Sequence, residues 1–170
     1  MIELNKKTQQ DFLNREWVQR LLDAGVDMSD AKYEILKTVD TGREFINYCG
    51  KYDPECGKYI NGIEVTDKLP TYTVSELLYK LHEWIYPEID GEEYSGGLKM
   101  IKDAPFYPAW YDLKHEVKDA EGNIVRTDKK WDYIMSESEY PIESLASLLI
   151  QCHTHDIGIP KKDVEDISDK

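Results

Sequence analysis

The run Leu69-Pro70-Thr71-Tyr72-Thr73-Val74-Ser75-Glu76-Leu77-Leu78 constrains the fold more than any other stretch of this chain. Thr73 can accept from the backbone N–H three residues on, and Glu76 can reach back to the N–H of Thr73, which makes a capping box. Tyr72 and Leu77 hold the two positions of a hydrophobic staple, fixing the angle at which the chain enters the helix. The pattern predicts a helix from Val74 to about Tyr86, closed by Pro87, with Val74, Leu77, Leu78, Leu81, Trp84 and Ile85 on its buried side.

The same reasoning predicts two further helices. One spans Thr8 to Ala24, with Phe12, Leu13, Trp17, Leu21 and Leu22 at helical spacing and Gly25 just past its end. The other runs from Pro141 to about His153, with proline in its first turn and Ile142, Leu145, Ala146, Leu149 and Cys152 as its apolar stripe. Strands are expected at 33–39 and 44–48, joined by Asp40-Thr41-Gly42-Arg43, and Asn61-Gly62 marks a second small hairpin. The stretch 87–97 reads as an acidic loop. Three more strands follow at 98–102, 107–117 and 124–135, with a turn at Glu121-Gly122-Asn123 and with Trp110, Tyr111, Trp131 and Tyr133 pairing across strands. The expected fold class is α+β: three main helices packed on a small, mainly antiparallel sheet, plus the N-terminal-half hairpin. One globular domain over 1–160 and a charged, frayed tail over 161–170 complete the organisation.

At 170 residues the chain can bury about 70% of its unfolded surface, enough for a core without metal or disulfide staples. Its net charge is −13, and the acidity is uneven: residues 1–85 carry 11 basic and 15 acidic side chains, residues 86–170 carry 10 and 19. Only four of the 21 basic residues are arginines, the type that suits bidentate phosphate recognition. Nucleic acid and anionic membrane are therefore expected to be repelled and a basic partner attracted. No apolar run approaches the roughly 20 residues that span a bilayer, the N-terminus does not read as a secretory signal, and three cysteines suit a reducing cytoplasm.

The order of a Leu-Pro-Thr-Tyr-Thr-Val-Ser-Glu-Leu-Leu helix start, short aromatic strands and Glu139-Tyr140-Pro141-Ile142-Glu143-Ser144-Leu145-Ala146-Ser147-Leu148-Leu149 resembles uncharacterised small acidic proteins of gut bacterial phages and mobile elements. The opening Trp17-Val18-Gln19-Arg20-Leu21-Leu22 helix fits as well. The resemblance covers much of residues 10–155 and rests on caps and core stripes. It implies a phage or mobile-element setting inside a bacterial host cell and carries no site residues across.

Zinc-like chemistry would draw on Cys49, Cys56, Cys152, His153 and His155, yet six residues separate Cys49 from Cys56, and neighbouring positions such as Cys152 and His153 diverge by about 100° on a helix. The alternative is a buried Cys152 with two histidines at a helix C-terminus, where positive charge is favourable. The same groups, or Cys49 with His115, could form a nucleophile dyad, but no glycine elbow, phosphate loop or dinucleotide fingerprint accompanies them. Acid pairs such as Glu92-Glu93, Asp119 with Glu121, and those between Asp163 and Asp169 read as solvated surface.

The aromatic cluster Phe106-Tyr107-Pro108-Ala109-Trp110-Tyr111 is the better candidate, because rigid amphipathic rings dominate protein-binding patches. The expected function is a non-catalytic, cytoplasmic protein-interaction module that binds a basic host or phage protein. It uses no cofactor or metal, and Tyr107, Trp110, Tyr111, Glu92, Glu93 and Trp131 form its contact surface. Competing expectations are inhibition of a host defence nuclease by phosphate mimicry, a Cys/His metal or thiol enzyme, and a self-associating structural accessory protein, a homo-oligomer.

Overall fold

Thr73 caps its helix as its sequence requires. Its Oγ1 accepts from the Glu76 N–H at 3.3 Å, and its own N–H donates to Glu76 Oε2 at 2.9 Å. Tyr72 and Leu77, the staple pair, are both buried. The structure, a computed structural model, describes residues 1–55 and 57–157; the expected tail over 161–170 lies outside the described residues.

In chain order the elements begin with β1 (Ile2–Glu3), a 3-10 turn at Thr8–Gln10, α1 (Arg15–Asp23), β2 (Tyr33–Thr38), β3 (Glu44–Tyr48), β4 (Tyr59–Ile60) and β5 (Ile63–Thr71). The chain continues through α2 (Val74–Lys80), β6 (Trp84–Ile85), β7 (Glu88–Ile89), β8 (Glu92–Glu93), β9 (Gly96–Met100) and β10 (Ala109–Tyr111). It closes with β11 (Leu113–Lys118), β12 (Ile124–Lys130), β13 (Met135–Ser136) and α3 (Pro141–Thr154). The strands form four antiparallel sheets among the described residues: β1-β3-β2-β5-β4, β13-β10-β9-β6, β11-β12 and β7-β8.

This architecture overturns the expected three helices on one small sheet. Among the described residues strand outweighs helix, 37% to 21%, and the first two helices are shorter than their apolar periodicity suggested, whereas the third keeps its expected span. The first begins at Arg15 because Asn14 takes the cap position, accepting from the Trp17 N–H at 3.1 Å. The residues before it serve the sheet instead: Leu13 donates its N–H to Tyr72 O, and Thr71 Oγ1 donates to Leu13 O at 2.8 Å. The second helix stops at Lys80 rather than near Tyr86, since Leu81 is already extended at φ −80°, ψ 127°. Two causes combine there. A residue before proline avoids the helical region, which bars Tyr86. Trp84 and Ile85 also pair with Gly97 and Gly96, and the missing side chain of Gly97 leaves room for the indole.

One apolar cluster, including Leu21, Ile35, Ile46, Tyr72, Tyr111 and Leu145, joins α1, α2 and α3 to the two larger sheets. On the opposite side of β2, Glu34 is 3% exposed and meets Lys68 at 3.6 Å and the Asn47 amide at 3.0 Å. The chain near Tyr52 and Asp53 closes over this pair, and Lys68 donates to Asp53 O at 2.7 Å. A buried pair so enclosed orders the loop above it more than it adds net stability.

The glycine with least room for a side chain is Gly96. A Cβ there would be driven into the carbonyl oxygen of Asp112 and to within 2.8 Å of the Leu113 nitrogen, both backbone atoms. At Gly97 the tight contact is with the Trp84 ring, at 3.2 Å, and the nearest backbone atom, Glu83 O, is at an ordinary 3.5 Å. Gly96→Ala should therefore cost at least about 2 kcal/mol in urea unfolding, and Gly97→Ala distinctly less, because a side chain can yield where a backbone cannot.

Candidate functional site

The segment expected to be an acidic loop is a paired β-hairpin. Asp90 and Gly91 both have positive φ, 54° and 80°, the signature of a two-residue type I′ turn. Around it, residues 83–89 run antiparallel to residues 92–98: Glu88 pairs with Glu93, Tyr94 N–H donates to Pro87 O, Ile85 pairs with Gly96, and Leu98 N–H donates to Glu83 O.

Strand alternation then sorts the side chains. Ile85, Pro87 and Ile89 are buried, whereas Trp84, Tyr86, Glu88 and Asp90 face solvent, with Trp84 50% and Tyr86 60% exposed. Glu83, Glu92 and Glu93 are exposed too, and no lysine or arginine occurs between Leu81 and Leu98. The hairpin is thus an uninterrupted acidic and aromatic surface.

His115 on β11 holds this hairpin. Its Nδ1 lies 2.9 Å from Glu93 O and its Nε2 lies 3.2 Å from Glu92 Oε2. A carbonyl only accepts, so Nδ1 is the donor there, and Nε2 completes the contact to Glu92 when it too carries a proton. The imidazole also packs on Tyr94 at 5.4 Å between ring centroids, with the Lys130 ammonium 5.9 Å from the same ring. Between hairpin and β11 lies an open groove of about 680 Å³. Trp84 and Tyr86 form one rim, Gly97 lies in its lining, and Lys114, Glu116 and Lys118 form the other wall, with Lys99 and Asp112 beside them.

The residues expected to make the contact surface scatter. Glu92 and Glu93 belong to this hairpin. Trp131 is 56% exposed just past β12, while Trp110 and Tyr107 are half-buried, Trp110 opposite Lys99 and Met135. Tyr111 is core rather than surface: it is fully buried and donates its hydroxyl to His82 O at 2.7 Å. The expected cross-strand aromatic pairing is replaced by single contacts, such as Tyr133 on His155 at 4.8 Å. Trp84 and Tyr86 were missed because the capping box invited their inclusion in a helix. The strict alternation from Trp84 to Asp90, ending in Asp-Gly, is the signal that marks them.

A second cleft, about 490 Å³, gathers His82, His153 and Cys152 over a floor including Leu81, Ile85 and Leu149. Burial pushes the Cys152 thiol up to about 12, so it is held as a protonated thiol, a poor nucleophile. Cys49 follows β3, with its thiol pushed up first by burial and then by Glu34, while His115 is engaged by Glu92 and Glu93. Cys56 lies outside the described residues, and among the described residues no three His, Cys, Asp or Glu side chains are placed to hold a metal ion. No helix among them is long and apolar enough to cross a membrane. No protein-family model, curated protein or solved structure matches the chain.

Burial raises the Tyr72 and Tyr111 hydroxyls above their ordinary range, Asp30 adding to the shift at Tyr72. With Cys152 these groups keep their protons in the folded state and release them near pH 8.5 to 10 when unfolded. Their contribution to stability is therefore complete below about pH 8.5 and is lost as the pH rises beyond it. Unfolding midpoints should hold steady through neutrality and fall steeply above about pH 9. Peptide mapping after alkylation at pH 8 should find Cys152 labelled only in denaturant.

Proposed function

We propose that this protein is a non-catalytic interaction module that seats a basic, extended segment of a partner protein against the acidic hairpin and in the groove beside it. The observation that carries this reading is the conjunction on residues 83–93: five exposed carboxylates, two half-exposed or more exposed aromatic rings, and no intervening cation. Aromatic rings supply contact area and cation–π partners for lysine and arginine, and the carboxylates steer the encounter. Lys99, Lys114 and Lys118 alternate with Asp112 and Glu116 along the far wall. That mixed wall favours a polypeptide of varied side chains over a polyanion, and it also interrupts the acidic stripe that phosphate mimicry needs. The bacterial cytoplasm and a phage or mobile-element origin belong to the same proposal and rest on the sequence resemblance.

Titration of the labelled protein with a lysine-rich, unstructured peptide provides the test, read by NMR. The Trp84 indole N–H and the amides of residues 86–93 should shift, and affinity should fall as ionic strength rises. Trp84→Ala, and separately Glu88→Gln with Asp90→Asn, should each weaken binding by about tenfold, or about 1.4 kcal/mol. Asparagine tolerates the left-handed turn position, so the hairpin is kept. Shifts confined to another face, or affinity indifferent to salt, would overturn the proposal.

A further inference from the structure

The ribbon of β11 and β12 projects beyond the core, and β12 is exposed along most of its length, with Ile124 53% and Val125 62% accessible. Among the described residues β11 is its only strand neighbour, so the outer edge of β12 carries a row of free backbone groups. Which groups these are follows from the ladder. Lys114 donates its N–H to Ser95 O at 2.8 Å and accepts from the Ser95 N–H at 2.9 Å, so its backbone points away from β12. The pair Lys114–Lys129 is then a non-hydrogen-bonded one, and by alternation so is Glu116–Thr127. Thr127 and Lys129 must therefore aim their N–H and C=O groups at the open edge. The register shift falls between Val117 and Lys118, which leaves the pairing from Arg126 to Lys130 regular.

We propose that β12 pairs antiparallel with β12 of a second copy of this chain, about a twofold axis at Thr127. That register sets Thr127 against its own copy through two backbone hydrogen bonds, and it sets Arg126 against the second copy's Asp128 in both directions. On each chain Arg126 already binds Asp128, at 3.0 Å and 3.3 Å, so the pairing closes a four-residue charge network on one face. Val125 meets the stem of Lys129, and Ile124 that of Lys130, which covers the exposed apolar side chains. Moving the axis to Arg126, Asp128 or Lys129 brings like charges face to face, which disfavours those registers. Moving it to Val125 runs the partner strand into the Asp119–Asn123 turn. Global charge permits the contact at this place: residues 113–130 hold five basic and four acidic side chains in a chain of net charge −13.

Sedimentation velocity of the full chain across a concentration series tests the proposal, with a concentration-dependent monomer–dimer equilibrium expected. Thr127→Pro removes an outward N–H without touching the bonds to β11, and it should weaken the dimer by about tenfold or more with the circular dichroism spectrum unchanged. Arg126→Asp alone and Asp128→Arg alone should each abolish self-association. Mixing those two variants should restore it, an outcome that the loss of a merely intramolecular ion pair would not produce. A monomer at every concentration, a dimer indifferent to Thr127→Pro, or no restoration on mixing would each overturn the proposal.

Discussion

The close approach of Gly96 to the Asp112 carbonyl sets where the acidic hairpin and the groove beside it sit. At that point the second arm of the acidic hairpin meets the chain passing from β10 into β11, and no side chain can stand between them. Asp112 N–H donates to Gly97 O, and Ser95 exchanges two backbone bonds with Lys114, so hairpin and ribbon are held by main chain on both sides of the contact. His115 then fastens the hairpin's tip from one residue further along β11. The groove is the space these fixed elements leave, which makes it a consequence of backbone geometry rather than of any one lining side chain.

How much of this could be read beforehand depends on whether the deciding partners are near or far in sequence. The capping box, the Asn61-Gly62 turn, the 33–38 and 44–48 strands and the Pro141 helix are governed by residues within a few positions of one another, and all appear in the structure. The end of α2 is governed by Gly96 and Gly97, more than ten residues away, whose open surface draws Trp84 and Ile85 into a strand. Helical periodicity through Ile85 was real but could not show this competitor. The acidic stretch was legible in principle through Asp90-Gly91. Four carboxylates in six residues concealed that turn by resembling a solvated loop. Tyr111 shows the converse error: an aromatic cluster says nothing about which rings face inward, and alternation places this one in the core.

Charge distribution separates the two halves of this surface. Residues 83–93 carry carboxylates alone, whereas the ribbon opposite is close to neutral. Under the proposed function, long-range attraction to a cationic partner arises on the hairpin, and the ribbon's interspersed lysines discriminate by local contact. The buried Glu34–Lys68 pair and the Arg15 fork to Glu44 and Asp67, at 2.9 Å and 2.7 Å, belong to the other sheet and stabilise its strands without entering either surface.

The ribbon's two edges also separate the two proposals physically. Lys114, Glu116 and Lys118 on β11 line the groove, while the edge proposed for self-pairing belongs to β12 on the ribbon's opposite side. Pairing through β12 leaves the groove open and presents two acidic hairpins from one assembly. A partner with two basic segments, or a partner that is itself dimeric, would then meet the second site at a local concentration set by the ribbon rather than by the bulk solution. Modest affinity at each groove is enough under that arrangement, and a short edge strand suffices to supply it. If both proposals hold, each surface gains from the other because both are anchored, through Ser95 and Lys114, to the same stretch of backbone.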